Sequence, residues 1–215
     1  MDFEEWETFY NSIIQDFDYD KEKDRLAASI LSEKITQRET DLSSLEQLKG
    51  KEVVVTGPFI QEFDQERFDT IISAGSAVEQ LTDIDIKPDI MVTDLDGDID
   101  LQMRLNKEGI PIVVHAHGDN IALIKKHISD FTGPLIPTCQ CEPLENVYNF
   151  GGFTDGDRAA FMAEHFGAEK ITLHGWDFET PWAKGDESRI KVKIKKLRWA
   201  EHLIGLLETP VEQVR

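Results

Sequence analysis

The sequence predicts an α/β protein with a doubly wound, mostly parallel sheet and a helical amino-terminal portion. Three observations predict it. From Lys51 onward, short β-branched or apolar runs alternate with helical stretches, as crossover helices between parallel strands require. These runs are continuous rather than alternating, which suits strands covered on both faces. Turns rich in glycine and acid recur where the runs end.

Before Lys51 the chain reads as helices. Phe3, Trp6, Phe9/Tyr10, Ile13/Ile14 and Phe17 recur at spacings of three and four, the pattern of an amphipathic helix. Asp20 caps a second helix carrying Leu26, Ile30, Leu31 and Ile35, and a short helix over Leu42 to Leu48 is closed by Gly50. Strands are predicted at Glu52–Thr56, Thr70–Ala74, Ile90–Thr93, Pro111–His115, Leu135–Thr138 and Lys170–His174. Helices at Ser76–Leu81, Leu101–Glu108, Asn120–His127 and Asp155–Phe166 lie among them, and a last one, Ser188–Leu207, carries Ile190, Ile194, Leu197, Ile204 and Leu207. The predicted division is a helical extension over 1–49 and an α/β domain over 50–215 that ends in the long helix.

A chain of 215 residues, 40% hydrophobic and 30% charged, is an ordinary globular protein with room for one sizeable core. No apolar run approaches the roughly 20 residues that cross a bilayer. The start, Met1-Asp-Phe-Glu-Glu, is acidic where a leader would be basic, and Cys139 and Cys141 build no disulfide framework and read as free thiols. A cytoplasmic protein is expected. With 42 acidic and 23 basic residues the net charge is −19, which repels nucleic acid and anionic membranes, so neither is an expected partner. A phosphate-bearing substrate is repelled as well unless cations neutralise its site, and this favours a divalent metal.

The unusual residues collect at strand ends. Thr56-Gly57-Pro58, Ala74-Gly75-Ser76, Thr93-Asp-Leu-Asp-Gly-Asp98, His115-Ala-His-Gly-Asp-Asn120 and His174-Gly-Trp-Asp177 each begin where a strand stops, and Gly151-Gly-Phe-Thr-Asp-Gly-Asp157 opens a helix. Open α/β sheets bind ligand on that rim, although caps and tight turns alone also enrich such turns in Gly, Asp and Ser. Asp94, Asp96 and Asp98 form the strongest motif: three carboxylates within five residues repel one another, and magnesium takes such oxygen ligands together with substrate phosphates. A solvated acidic loop is the plain alternative. A calcium loop starting at Asp94 fails, since Ile99 and Leu105 stand where Gly and Glu are needed. A haloacid-dehalogenase-type phosphatase shares the Asp94-Leu-Asp-Gly pattern but lacks its usual Thr and its later acidic motif.

Four further segments carry weaker signals. His115, His117 and Asp119 have the makings of a transition-metal site but no further histidine nearby, and Asp119 with Asn120 better suits a helix cap that reaches into the site. Gly151, Gly152, Thr154, Asp155, Asp157 and Arg158 combine phosphate-compatible glycines with a helix start, where the acids suit a phosphate only through a cation. Thr154 or Asp155 as a simple cap is equally consistent. Trp176 and Asp177 offer a stacking face beside a carboxylate, although a tryptophan more often covers a core. Neither a P-loop nor a dinucleotide-binding glycine motif is present.

Pro88-Asp-Ile-Met-Val-Thr-Asp-Leu-Asp-Gly-Asp98, His115-Ala-His-Gly-Asp-Asn120, Asn149-Phe-Gly-Gly-Phe-Thr-Asp-Gly-Asp-Arg-Ala159 and Gly175-Trp-Asp-Phe178 together resemble the archaeal 6-hydroxymethyl-7,8-dihydropterin diphosphokinases. That family is similar to thiamine pyrophosphokinase in its catalytic domain, which implies a Rossmann-like sheet. The resemblance runs from the Trp6/Tyr10 helix to the Lys191–Leu207 helix. One departure is that Gly57-Pro58 leads to Phe59-Ile60 where the family has Gly-Pro-Ser. The resemblance implies transfer of diphosphate from ATP to a reduced pterin, releasing AMP, with a related alcohol such as thiamine, a phosphatase or a non-catalytic nucleotide sensor as the rivals. It implies magnesium on Asp94 and Asp96, with Asp155 or Asp157 for a second ion, and Asp119 and Arg158 as base and charge stabiliser. It further implies phosphate contacts at Gly57, Gly75, Ser76, Gly151, Gly152 and Thr154, and pterin contacts at Asn120, Trp176 and Asp177. The expected partners are these small molecules; a homo-oligomer is compatible with the sequence.

Overall fold

A computed structural model describes residues 1–38, 40, 42–182 and 186–214. Helix α1 (Phe3–Phe17) starts at a capping box in which Asp2 and Glu5 exchange side-chain-to-backbone hydrogen bonds. Asp18 ends it in the left-handed conformation, and Asp20 caps α2 (Lys21–Ile35) through Glu22 N. A single turn, α3 (Ser43–Glu46), precedes the first strand.

The strands and helices then alternate: β1 (Glu52–Thr56), β2 (Thr70–Ala74), α4 (Ala77–Asp83), β3 (Ile90–Thr93), α5 (Ile99–Lys107), β4 (Ile112–Ala116), α6 (Ile121–His127), β5 (Leu135–Cys139), α7 (Asp155–His165), β6 (Lys170–His174), α8 (Glu187–Ile204) and β7 (Val211–Val214). All seven strands pair in parallel in the order β5-β4-β3-β2-β1-β6-β7. The six expected strands fall within one residue of their predicted limits. β7 was not expected, because Val211-Glu-Gln-Val214 is a short edge strand with no fully buried residue to mark it. The chain therefore ends in a strand rather than in the long helix. The run 147–150 forms only isolated bridges, one of them Tyr148 to Thr138.

Both faces of the sheet are covered, which is why its strands are apolar throughout. Ile112 and Val114 join a cluster with Trp6, Tyr10, Leu31, Leu101, Leu105 and Ile124, while Val113 faces the opposite cluster with Leu45, Ala159, Ala160 and Met162. The amino-terminal helices are thus part of the main core: Trp6, Ile13, Leu31 and Ile35 are buried in it. The sheet order places a topological switch between β1 and β6, whose following loops run in opposite directions and leave a crevice at their carboxyl ends.

Candidate active site

A cavity of about 380 Å3 opens at that crevice and extends across the ends of β2, β3 and β4. At its head the loops after β1 and β6 touch backbone to backbone: Phe59 N–H donates to Gly175 O at 3.0 Å, and a Cβ on Gly57 would lie 2.5 Å from that oxygen. Only glycine allows this approach. Gly57, Gly75 and Ser76 line the cavity.

The turn after β3 aims the acids. Leu95 sits at φ +70°, a costly conformation for a residue with a Cβ, and is held there by a fully buried side chain and by its N–H donating to Thr93 Oγ1 at 2.9 Å. The bend leaves Asp94 and Asp96 both lining the cavity, where they meet Asp155 from the first turn of α7. One carboxylate oxygen from each of the three lies within 4.8 Å of the others. Asp98, the third acid of the sequence motif, instead caps α5 by accepting from Leu101 N–H at 2.9 Å.

The charges in this triad are unequal. Asp94 Oδ1 accepts from Asp96 N–H, and its Oδ2 faces His117 Nε2 at 3.3 Å. Asp119 N–H donates to His117 Nδ1, so the neutral ring carries its proton on Nε2 and donates it to Asp94. Burial opposes ionisation of Asp94, but the hydrogen bond from His117, with that from Asp96 N–H, outweighs it and holds the carboxyl well below the usual range. Asp96 is pushed up to about 6 by the shielding of its surroundings and then by Asp94. Asp155 is raised well above its ordinary value, first by burial and then by Asp94 and Asp96. Among the described residues no group donates a hydrogen bond to Asp155. An all-oxygen cluster whose mutual repulsion is left uncompensated is chemically suited to a hard divalent cation.

The second expected acid of α7 has a different job. Asp157 is fully buried; it accepts from Phe153 N–H at 2.6 Å, from Thr154 N–H at 2.8 Å and from the Thr154 hydroxyl. Its oxygens close the capping box and lie outside the cavity lining, so the structure does not bring it together with Asp94, Asp96 and Asp155. Gly151 and Gly152 are also outside that lining: they take φ of +88° and +84° to bring the chain over α7, and a Cβ on Gly152 would lie 2.6 Å from Arg158 N. Asn120 supports the site from behind, donating to Asp94 O and His115 O and accepting from His117 N–H, and lies outside the cavity lining. Thr154 and Asp119 do reach the cavity.

Trp176 forms a cavity wall. Its Nε1–H donates to Val55 O at 2.8 Å, and its six-membered ring covers Gly156, where a Cβ would lie 1.3 Å from Cη2. Asp177 lines the cavity while accepting from Glu179 and Thr180 N–H. β7 braces this turn, Gln213 donating to Trp176 O.

Several lining residues escaped the sequence reading. Asp24 of α2 is buried and accepts from Tyr10 Oη, Gln140 Nε2 and Gly118 N–H at 2.7 to 2.8 Å. Gln140 in turn accepts from Arg158, whose same nitrogen also donates to Phe153 O. This chain ties the amino-terminal helices to α7 and fixes the guanidinium, which burial lowers to about 10, still charged at neutral pH. The position of Gln140 just past β5 was a usable signal; an acid inside α2 was not. His115 is buried, and desolvation keeps its ring neutral. Thr138 Oγ1 donates to Val114 O, so His115 Nδ1–H donates to Thr138.

A parallel sheet with an acidic cluster and glycine turns at its carboxyl rim is the plan of α/β proteins that bind ligands at strand ends. The sequence model of the family described as 6-hydroxymethylpterin diphosphokinase MptE-like matches residues 57–181. Three proteins named 6-hydroxymethyl-7,8-dihydropterin pyrophosphokinase are similar over nearly their whole length. That of Methanocaldococcus jannaschii is 39% identical, covering 99% of this chain and 98% of its own. That of Pyrococcus furiosus is 38% identical over 97% and 95%, and that of Methanothermobacter thermautotrophicus 35% over 97% and 96%. The chain belongs to the MptE-like 6-hydroxymethylpterin diphosphokinase family and is an enzyme of the diphosphokinase kind.

Proposed function

We propose that the enzyme transfers diphosphate from ATP to the hydroxymethyl oxygen of 6-hydroxymethyl-7,8-dihydropterin and releases AMP. The observation that carries this reading is the Asp94–Asp96–Asp155 cluster in a cavity at the sheet's switch point, in a chain whose relatives bear that activity's name. The three carboxylates fit magnesium, being hard oxygen donors with unrelieved repulsion, and Asp94, Asp96 and Asp155 would hold it. Bound there, the ion supplies neutralisation and alignment of the phosphates, which is most of what phosphoryl transfer asks of a protein.

The remaining work falls to this chain's side chains. The pterin hydroxyl oxygen forms a bond to the β-phosphorus while the bond from that phosphorus to the oxygen of the α-phosphate breaks. Asp119, exposed at the cavity rim, takes the hydroxyl proton. Arg158, held by Gln140 and Phe153, stabilises charge on the oxygens, as pre-positioned donors do best. The backbone at Gly57 and Gly75 with Ser76 admits the phosphate chain, and the Trp176 wall with Asp177 receives the flat pterin.

We assign the protein to the cytoplasm, where ATP is made and where its two buried free thiols stay reduced; no helix among the described residues is long and apolar enough to cross a membrane. The test is product analysis with magnesium, ATP and either the reduced pterin or thiamine. AMP with pterin alone is the expected outcome. AMP with thiamine reassigns the acceptor, inorganic phosphate points to a phosphatase, and no turnover at all sinks the reaction.

A further inference from the structure

Helix α8 places Lys193 and Lys196 in the lining of the cavity that also holds the acid cluster. We propose that Lys193, assisted by Lys196 one turn on, binds the diphosphate group as it passes from nucleotide to acceptor. This assignment deepens the reaction proposed above and rests on it.

The lysines on either side of Lys193 have carboxylate partners. Lys191 pairs with Glu187 at 2.7 Å and Lys195 with Asp16 at 2.8 Å. Lys193 and Lys196 lie between and beyond them, are half-buried, and make no ion pair or hydrogen bond among the described residues. Lys196 instead stands over the rings of Phe153 and Tyr19, 5.4 and 5.8 Å from their centroids. The charge of Lys193 is felt by both Asp96 and Asp155, which places it beside the cluster, yet it pairs with neither.

A partly desolvated ammonium with no acceptor loses hydration and gains nothing until an anion arrives. The diphosphate proposed for this cavity is such an anion. Arg158 is anchored by two hydrogen bonds, whereas a lysine on a flexible stem is a point charge able to follow a group in motion. The cavity thus offers a diphosphate both an acid cluster suited to a metal and mobile lysines. If the lysines merely coated a helix face, exchanging them would leave both turnover and anion binding untouched.

The experiment uses the full chain with Lys193→Met, Lys193→Arg and Lys196→Met. Steady-state AMP release is read beside calorimetric binding of inorganic pyrophosphate with magnesium. Lys193→Met is expected to lower kcat at least about tenfold, with an unchanged Tm. It should weaken pyrophosphate binding at least about tenfold; Lys193→Arg should restore most of both, and Lys196→Met should show a smaller loss of each. The assignment is overturned if Lys193→Met keeps kcat and pyrophosphate affinity within about twofold of the parent. Should the parent itself release no AMP, the proposed reaction fails, and the pyrophosphate titration alone still decides whether Lys193 binds the diphosphate.

Discussion

Asp155 and Asp157 stand two residues apart at the start of one helix, carry the same side chain, and do opposite work. Asp157 accepts three hydrogen bonds and is sealed from solvent; Asp155 receives none among the described residues and faces two further carboxylates across the cavity. Asp24 behaves like Asp157, accepting from Tyr10, Gln140 and Gly118. Asp94 stands between the two kinds: it accepts from Asp96 N–H and faces His117, yet keeps its place in the triad. Repulsion among the three carboxylates, not a lack of hydrogen bonds, is what suits that triad to a cation.

The contrast makes opposite predictions for neighbouring substitutions. The largest effect is expected from Asp155→Asn or Asp96→Asn. Either should cut kcat by about 10²–10³, the range for losing a preorganised electrostatic group, while the metal-free Tm stays level or rises as repulsion is relieved. A variant with normal AMP release would remove that residue from the site.

Asp157→Ala should do the reverse, with stability falling by about 3 kcal/mol as buried N–H groups lose their acceptor. For a domain of this size that is a Tm drop of roughly 6–12 °C by calorimetry. Asp24→Asn comes next, at about 2 kcal/mol, because the amide keeps one acceptor but loses the charge. Retention of the parental Tm would show that the Asp24 network contributes nothing to holding α2 in place.

The smallest effect is a pH dependence that separates the two kinds of acid. The raised Asp96 value of about 6 means that the folded state binds this proton more tightly than the unfolded chain. Metal-free stability from this group is therefore present at low pH and lost as pH rises through about 6. Magnesium competes with that proton, so its stabilising shift should be larger at pH 7.5 than at pH 5. At a tenfold excess over Kd the shift is about 1.4 kcal/mol. Asp96→Asn should flatten the difference, whereas an unaltered pH profile in that variant would place the titration elsewhere.

Much of this molecule was legible in its sequence because the signals are local. Strands buried on both faces must be apolar throughout, and turns that leave a sheet need Gly, Asp or Ser for their backbone angles. Both facts are written in short windows such as Glu52–Thr56 and Thr93–Asp98. β7 escaped because an edge strand buries too little to leave a pattern. Spacing could not separate Asp155 from Asp157, since which of two alternate residues turns inward depends on where the capping hydroxyl of Thr154 and the turn after β3 lie in space. Nor did any local pattern mark Asp24 or Lys193, whose partners lie far along the chain or belong to no part of it. The sequence by itself determined the layered fold, the rim on which the chemistry sits and the acids from which the site is drawn. Tertiary structure alone decided which acids were spent on holding the chain together and which were left exposed to a ligand. The division has a physical reason: hydrogen-bond satisfaction is a property of three-dimensional neighbours, not of residue type or spacing.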